Sequence, residues 1–100
     1  MITRVWRGAV PAEKADAYLR LMREVALPDY RATRGNRGAW CLTRTENRIV
    51  HFEMLTFWDD IEAIKRFAGE DYEGAKYYDF DGDYLIEKRP KVQHYETYDR

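Results

Sequence analysis

The sequence predicts an α+β domain with the element order β-α-β-β-α-β, in which two helices cover one face of a four-stranded antiparallel sheet. Three observations lead to this prediction. Strand-like and amphipathic helical runs alternate in this order, the 100 residues fit one domain, and no stretch has the composition of a linker between two cores. We therefore treat residues 1–100 as a single domain.

The first strand and the first helix are predicted from the spacing of apolar residues. Residues 2–10 place apolar groups on both sides of intervening arginines, as an extended strand does. After Pro11, apolar residues recur at spacings of three and four, which predicts an amphipathic helix that ends before Pro28. Residues 27–38 are rich in glycine and proline, so we expect an ordered loop there.

Two strands joined by a tight turn are predicted next. Residues 39–45 and 48–58 carry the bulky and β-branched side chains typical of strands, and Glu46 and Asn47 predict the turn between them. The longer strand is largely apolar on both faces, so both faces of the sheet need a cover. The helices cover one face, and we expect a second copy of the chain to cover the other.

The second helix and the last strand complete the order. Asp59 and Glu62 have the spacing of a capping box, an apolar helical stripe follows, and Gly69 predicts the end of the helix. We expect residues 70–78 to add a further helical turn or two. Residues 91–98 alternate between apolar and polar side chains and predict the last strand.

Composition and charge narrow the classes of function. Cys41 is the only cysteine, which excludes an intrachain disulfide and a cysteine-based zinc cluster. Charges interrupt the N-terminal residues and no long apolar run occurs, so we expect a cytoplasmic protein without a signal peptide or a membrane partner. The arginines are scattered over several elements, which argues against nucleic-acid binding.

Three segments give the chain a family likeness: residues 57–67, residues 28–38 and residues 92–96. Together they resemble the antibiotic biosynthesis monooxygenase domain family, whose members are ferredoxin-like, dimeric α+β barrels, and the likeness covers nearly the whole chain. The resemblance implies a homodimer with a small pocket between sheet and helices in each subunit. It also implies an activity, because some members oxidise aromatic quinols with O₂ and no cofactor.

Other members of that family cleave haem, and the sequence departs from their pattern. The haem-degrading branch uses an asparagine on the first strand together with a tryptophan and a histidine in the second helical region. Here the first strand has no asparagine, and the matching helical positions are Phe67 and Tyr77. The resemblance therefore does not extend to haem cleavage, although a flat aromatic ligand remains compatible with it.

Cofactor-free oxygenation requires a base, an anion stabiliser and an apolar wall, because the substrate must become an electron-rich anion before it reduces O₂. His94 or His51 is the candidate base, since a neutral imidazole accepts a proton near neutral pH. Arg4 or Asn36 is the candidate stabiliser. The candidates for the wall are Trp6, Trp40, Phe52, Trp58, Tyr72 and Tyr95.

The same side chains also have structural interpretations. Large rings fill a small core efficiently, and tyrosine is common at protein interfaces. Each histidine precedes a glutamate, Glu53 or Glu96, by two residues, so each pair shares one strand face. Because the predicted strand order places the first strand between the two pairs, we expect no joint metal site.

Two functions therefore remain open. One is a cofactor-independent monooxygenase that acts on a small aromatic or quinol-like molecule. The alternative is a non-catalytic dimer of the same fold that binds a small hydrophobic ligand, since a fold alone does not decide between them.

Overall fold

The computed structural model describes residues 1–100, and all of its strands belong to one antiparallel sheet. β1 is Ile2–Pro11, β2 is Asn36–Glu46, β3 is Ile49–Trp58 and β4 is Gln93–Glu96. Their order across the sheet is β2-β3-β1-β4, so the first strand lies between β3 and the last strand. This is the α+β, ferredoxin-like arrangement that the sequence predicts.

Two helices cover one face of this sheet. The first begins with a 3₁₀ turn, Ala12–Lys14, and continues without a break through α1 (Ala15–Leu21), a π-helical turn (Met22–Ala26) and α2 (Leu27–Ala32). The second helix, α3, is Ile61–Ala68. No helix in the structure is long and apolar enough to cross a membrane.

The prediction that the first helix ends before Pro28 is wrong. Pro28 lies in the first turn of α2, and the chain stays helical to Ala32. A proline usually leaves one carbonyl without a donor and collides with the preceding turn. Here the π-helical turn directly before Pro28 widens the helix and changes its hydrogen-bond spacing. The extension places Tyr30 in the core, where 4% of it is exposed.

Two local features lie one residue later than predicted. Asn47 and Arg48 connect β2 to β3, and both have positive φ angles, 51° and 64°, which match the two-residue turn that suits the twist of a hairpin. Asp60, not Asp59, caps α3, because its carboxylate accepts a hydrogen bond from the N–H of Ala63 at 2.9 Å.

Residues 70–78 do not form the predicted additional helical turns. Gly69 ends α3 with a φ of 89°, and the chain then runs irregularly to a 3₁₀ helix at Asp79–Asp83. Backbone groups in this stretch bond to the returning chain instead, because Gly74 forms an isolated β-bridge with Lys91. The last strand is also shorter than predicted, with only four residues. Tertiary pairing has therefore overridden local helix propensity here.

The sheet has an inner face, covered by the helices and by residues 70–92, and an outer face without a covering layer. β3 shows the alternation directly, because its residues from Val50 to Trp58 are buried at every second position and partly exposed between them. The pairing registers assign the residues of the other strands to the same two faces, although β1 is buried on both faces from Ile2 to Trp6. The outer face exposes the large side chains Trp40, Leu42 and Tyr95.

Candidate functional site

The candidate side chains lie on both faces of the sheet and do not form one site. His94 pairs with Arg4 across β4 and β1 on the inner face, whereas His51 pairs with Ala9 on the outer face. The inner group consists of His94, Arg4, Trp6, Phe52 and Trp58, with Tyr72 packed against His94. The outer group consists of His51, Trp40 and Tyr95.

The outer group has the character of an interaction surface. His51 lines an open cleft of about 690 Å³ whose rim includes Arg7 and Glu53, which form an ion pair at 3.1 Å. Trp40 lies edge-on to Phe57, with ring centroids 5.6 Å apart. Exposed rings between ion pairs are typical of surfaces that contact a partner.

Three of the candidate side chains, Trp58, Phe52 and Asn36, make contacts that stabilise the fold. Trp58 has no exposed surface, and its indole N–H donates to Oγ1 of Thr56 at 2.8 Å. Phe52 is 1% exposed and packs edge-on against Tyr18, with centroids 5.0 Å apart. The amide of Asn36 closes the bulge at the start of β2: its Oδ1 accepts from the N–H of residue 38 at 3.0 Å, and its Nδ2 donates to the carbonyl there at 3.3 Å.

Arg4 is a deeply buried cation with few partners. Only 1% of it is exposed. Its Nη2 donates a long hydrogen bond to the carbonyl of Gly74 at 3.5 Å, and the hydroxyl of Tyr30 also lies close to the guanidinium. Its guanidinium carbon lies 5.4 Å from the centroid of the Phe67 ring. Burial lowers the pKa of Arg4, and the adjacent Tyr30 opposes this shift. The guanidinium is therefore charged but poorly compensated.

His94 lies directly opposite Arg4 and is half-buried. Its Nε2 is buried without a hydrogen-bond partner, and its ring meets Tyr72 edge-on, with centroids 5.3 Å apart. Burial and the positive charge of Arg4 lower the pKa of His94, while Glu73 opposes the shift. The imidazole is therefore neutral at neutral pH, with one free ring nitrogen.

Trp6 lies on the same face of β1 as Arg4 and contacts the first helix. It is 4% exposed, its Nε1 has no partner, and it lines a cavity of about 10 Å³ between the sheet and the first helix. Such a volume holds about one water molecule. Met22 and Ala26, the two ends of the π-helical turn, line the same cavity, and π-helical turns often occur at functional sites.

The unpaired polar atoms are concentrated at this place. The buried side-chain nitrogens and oxygens without a partner are Arg4 Nε, Trp6 Nε1 and His94 Nε2. All three side chains occupy neighbouring inner-face positions of β1 and β4. Because buried polar groups in folded proteins nearly always have a partner, this concentration distinguishes these three side chains from the rest of the interior. We refer to Arg4, Trp6 and His94 as the inner-face site.

Two neighbours of Arg4 were not singled out from the sequence. Tyr30 continues the spacing of four from Met22 and Ala26, so the helical stripe contained a signal for it that Pro28 obscured. Gly74 lies in the irregular segment, where no periodic pattern could identify it.

Metal binding has no support in the geometry. No group of three or more His, Cys, Asp or Glu side chains is placed to hold a metal ion. His51 and His94 lie on opposite faces of the sheet, so their rings cannot converge on one ion. Burial raises the pKa of the half-buried Cys41 thiol to about 11, which keeps it protonated.

Comparison with known proteins identifies the fold. Neither a family model nor a curated protein matches the sequence. Among solved structures, the chain is similar to the structure of Rv0793 from Mycobacterium tuberculosis, with a TM-score of 0.62 and 16% sequence identity. The similarity covers 99% of this chain and 96% of that chain. At this identity the two proteins share a fold, and the site must be argued from its own residues.

Proposed function

We propose that this chain is a cofactor-independent monooxygenase of the antibiotic biosynthesis monooxygenase type, which acts on a small aromatic or quinol-like molecule at the inner-face site. One observation carries the proposal. A neutral His94 imidazole with a free Nε2 lies next to the buried guanidinium of Arg4. A proton acceptor beside a fixed positive charge is suited to forming an anion from a weakly acidic substrate.

The two side chains have separate roles in this mechanism. Nε2 of His94 takes a proton from the substrate, and the charge of Arg4 stabilises the resulting anion. The anion then passes an electron to O₂. When a quinol becomes a hydroxyquinone, one ring C–H becomes C–OH with one oxygen atom of O₂, the two quinol hydroxyls become carbonyls, and the other oxygen atom leaves as water. The substrate supplies all four electrons, so the reaction requires no external reductant.

Entry of the substrate displaces the irregular segment that covers Arg4. The cavity beside Trp6 holds only about one water, so an aromatic ring needs additional space. Residues 70–78 contain no helix or strand, and the 3.5 Å contact from Gly74 is long for a hydrogen bond. The substrate replaces this weak contact when it binds.

A homodimer formed through the outer face is part of the same proposal. Trp40, Leu42 and Tyr95 expose about half of their surface on a sheet face that has no covering layer. Packing the outer faces of two copies removes these side chains from water and forms a dimeric α+β barrel. We expect light scattering after gel filtration to give twice the 12.0 kDa chain mass, and Trp40→Glu to give the monomer. A stable wild-type monomer at micromolar concentration would exclude this dimer.

A second function is favoured by the filled interior. Tyr18 packs against Phe52, Phe80 and Tyr84, and these rings contact one another as the side chains of a structural core do. In a non-catalytic dimer, Arg4 and His94 orient a small hydrophobic ligand, and no proton is transferred. The two functions share one site and differ in whether O₂ is consumed.

The deciding experiment is oxygen consumption by purified, metal-free protein with a panel of hydroquinones and polyphenols. The histidines on opposite faces supply a matched pair of variants. We expect uptake that saturates with substrate, falls at least about 100-fold in His94→Gln, and persists in His51→Gln.

Each other outcome has a definite meaning. Uptake no faster than the uncatalysed reaction supports the ligand-binding dimer. A loss confined to His51→Gln places the base on the outer face and contradicts the role of His94.

A further inference from the structure

The interior of this protein contains a positive charge without a counter-charge. Arg4 takes part in none of the ion pairs of the structure. The nearby interior carboxylates are engaged elsewhere, since Asp29 pairs with Lys76 at 3.0 Å and Asp81 accepts from the hydroxyl of Tyr18 at 2.7 Å. A buried charge is normally paired, so an unpaired one requires an explanation.

Two of the three unpaired atoms of the inner-face site always carry a hydrogen. The Nε of Arg4 and the Nε1 of Trp6 are obligatory donors, whereas the Nε2 of His94 is the proton acceptor of the proposed function. Two donors without an acceptor, one of them on a positive charge, favour a ligand that accepts hydrogen bonds and carries negative charge.

We propose that the inner-face site binds a carboxylate, and that the ligand of this protein is an aromatic acid and not a neutral aromatic molecule. The location of the ligand rests on the proposed function, whereas its charge is inferred from Arg4 alone. The planar guanidinium fork matches the two oxygens of a carboxylate, and its contact to Gly74 is weak enough to be replaced.

The charge count favours a monoanion. Lys76, the other cation near Phe67, is neutralised by Asp29, His94 is neutral, and the carboxylate of Glu73 near His94 is exposed to solvent. Arg4 therefore contributes one positive charge that no interior carboxylate compensates. One carboxylate balances this charge, whereas a phosphate dianion would leave a negative charge buried. Aromatic rings border the site on two sides, with Phe67 beside Arg4 and Tyr72 beside His94, so the ring of the ligand has apolar partners.

The test compares two ligands of the same shape and different charge. Benzoate and benzamide are titrated separately into the wild-type protein, Arg4→Met and Arg20→Met. Isothermal titration calorimetry measures their binding and does not depend on catalytic turnover. Arg20 is an exposed arginine at the end of α1, so its variant controls for a general loss of positive charge. We expect benzoate to bind at least tenfold more tightly than benzamide, and Arg4→Met alone to abolish the difference.

A second measurement does not depend on the folding of Arg4→Met. In the wild-type protein, the buried Nε–H of Arg4 exchanges slowly and is identified in a ¹⁵N spectrum by its proximity to the Phe67 ring. We expect this signal to shift with benzoate and not with benzamide. Absence of benzoate binding, equal binding of both ligands or an unmoved Nε–H signal would overturn the proposal.

The two proposals can fail separately. Binding of benzoate through Arg4 without O₂ uptake on any substrate leaves the carboxylate site in place and removes the oxygenase. If the protein consumes O₂ with quinols but binds benzoate and benzamide equally, the oxygenase proposal stands and the carboxylate site is excluded.

Discussion

The inner and outer faces of the sheet contain the same residue types in opposite surroundings. Trp58 on the inner face has no exposed surface, whereas 51% of Trp40 on the outer face is exposed. Histidine and arginine also occur on both faces, and Tyr18 of α1 packs against the inner face. Strand alternation decides the face, and the covering layer then decides whether a side chain is a core element, a buried polar group or part of a surface. The molecule therefore contains its own matched controls.

The two faces also differ in whether their polar side chains have hydrogen-bond partners. On the outer face Arg7 finds Glu53 at 3.1 Å and Tyr95 donates to Gln93 at 2.9 Å, although water is available to both. On the inner face, Arg4, Trp6 and His94 each have a buried nitrogen without a partner. Because an unpaired polar atom is most costly where it is buried, these three side chains are the physical reason to locate the function on the inner face.

Of the matched pairs, the two tryptophans should show the largest difference in the loss of unfolding free energy on substitution. Trp58→Ala removes a buried ring that contacts Tyr30 and Phe67, and we expect the free energy of unfolding to fall by about 3–5 kcal/mol. For Trp40→Ala we expect a loss of about 0.5 kcal/mol or less within the monomer. Urea unfolding at two protein concentrations separates any contribution of the dimer. Equal losses in the two variants would contradict the contrast between the faces.

The tyrosine pair should give a smaller difference. Tyr18→Phe removes the 2.7 Å hydrogen bond to the Asp81 carboxylate, which is 1% exposed, and we expect a loss of about 1–3 kcal/mol. Tyr95→Phe removes a hydroxyl from a residue that is 48% exposed, and the change should stay within about 0.5 kcal/mol. Both variants are compared by urea unfolding at one pH. A loss in Tyr95→Phe as large as in Tyr18→Phe, at a protein concentration where the chain is monomeric, would contradict the contrast between the faces.

The two histidines should differ in how they affect the pH dependence of stability. Because the pKa of folded His94 lies below its ordinary value of 6.5, the unfolded chain binds this proton more readily. The stability that neutral His94 contributes is therefore present above pH 6.5 and is lost as the pH falls through the folded pKa.

Melting temperatures between about pH 7.5 and about pH 5 measure this effect. We expect His94→Gln to reduce the loss of stability at low pH and His51→Gln to retain it. A wild-type slope in His94→Gln would show that His94 titrates as it does in the unfolded chain.

The sequence predicted the fold well where the pattern is local. The alternation in β3 and the apolar run of β1 gave both strands to within one residue. The sequence-based prediction failed where an unusual helical turn or a distant contact determines the backbone conformation. Pro28 ends most helices, but the π-helical turn before it lets this one continue. Residues 70–78 have helical propensity, yet their backbone pairs with the chain near Lys91.

The site was predicted only in part, for a similar reason. His51 and Phe52 are consecutive on one strand, so the sequence alone separates them onto opposite faces. The pairing of His94 with Arg4 depends on a register between strands at opposite ends of the chain, which no local pattern encodes. The absence of a counter-charge for Arg4 is a property of the assembled interior, and the residue types alone do not reveal it.

The π-helical turn Met22–Ala26 also limits how this chain can change during evolution. A π-helical turn arises when one extra residue is accommodated within an α-helix. Deleting one residue there would restore an ordinary helix, but it would rotate α1 by about 100° relative to α2. Tyr18 would then turn away from Asp81. Descendants of this gene should therefore tolerate insertions and deletions at the hairpin turn, and keep the length of this helix unchanged.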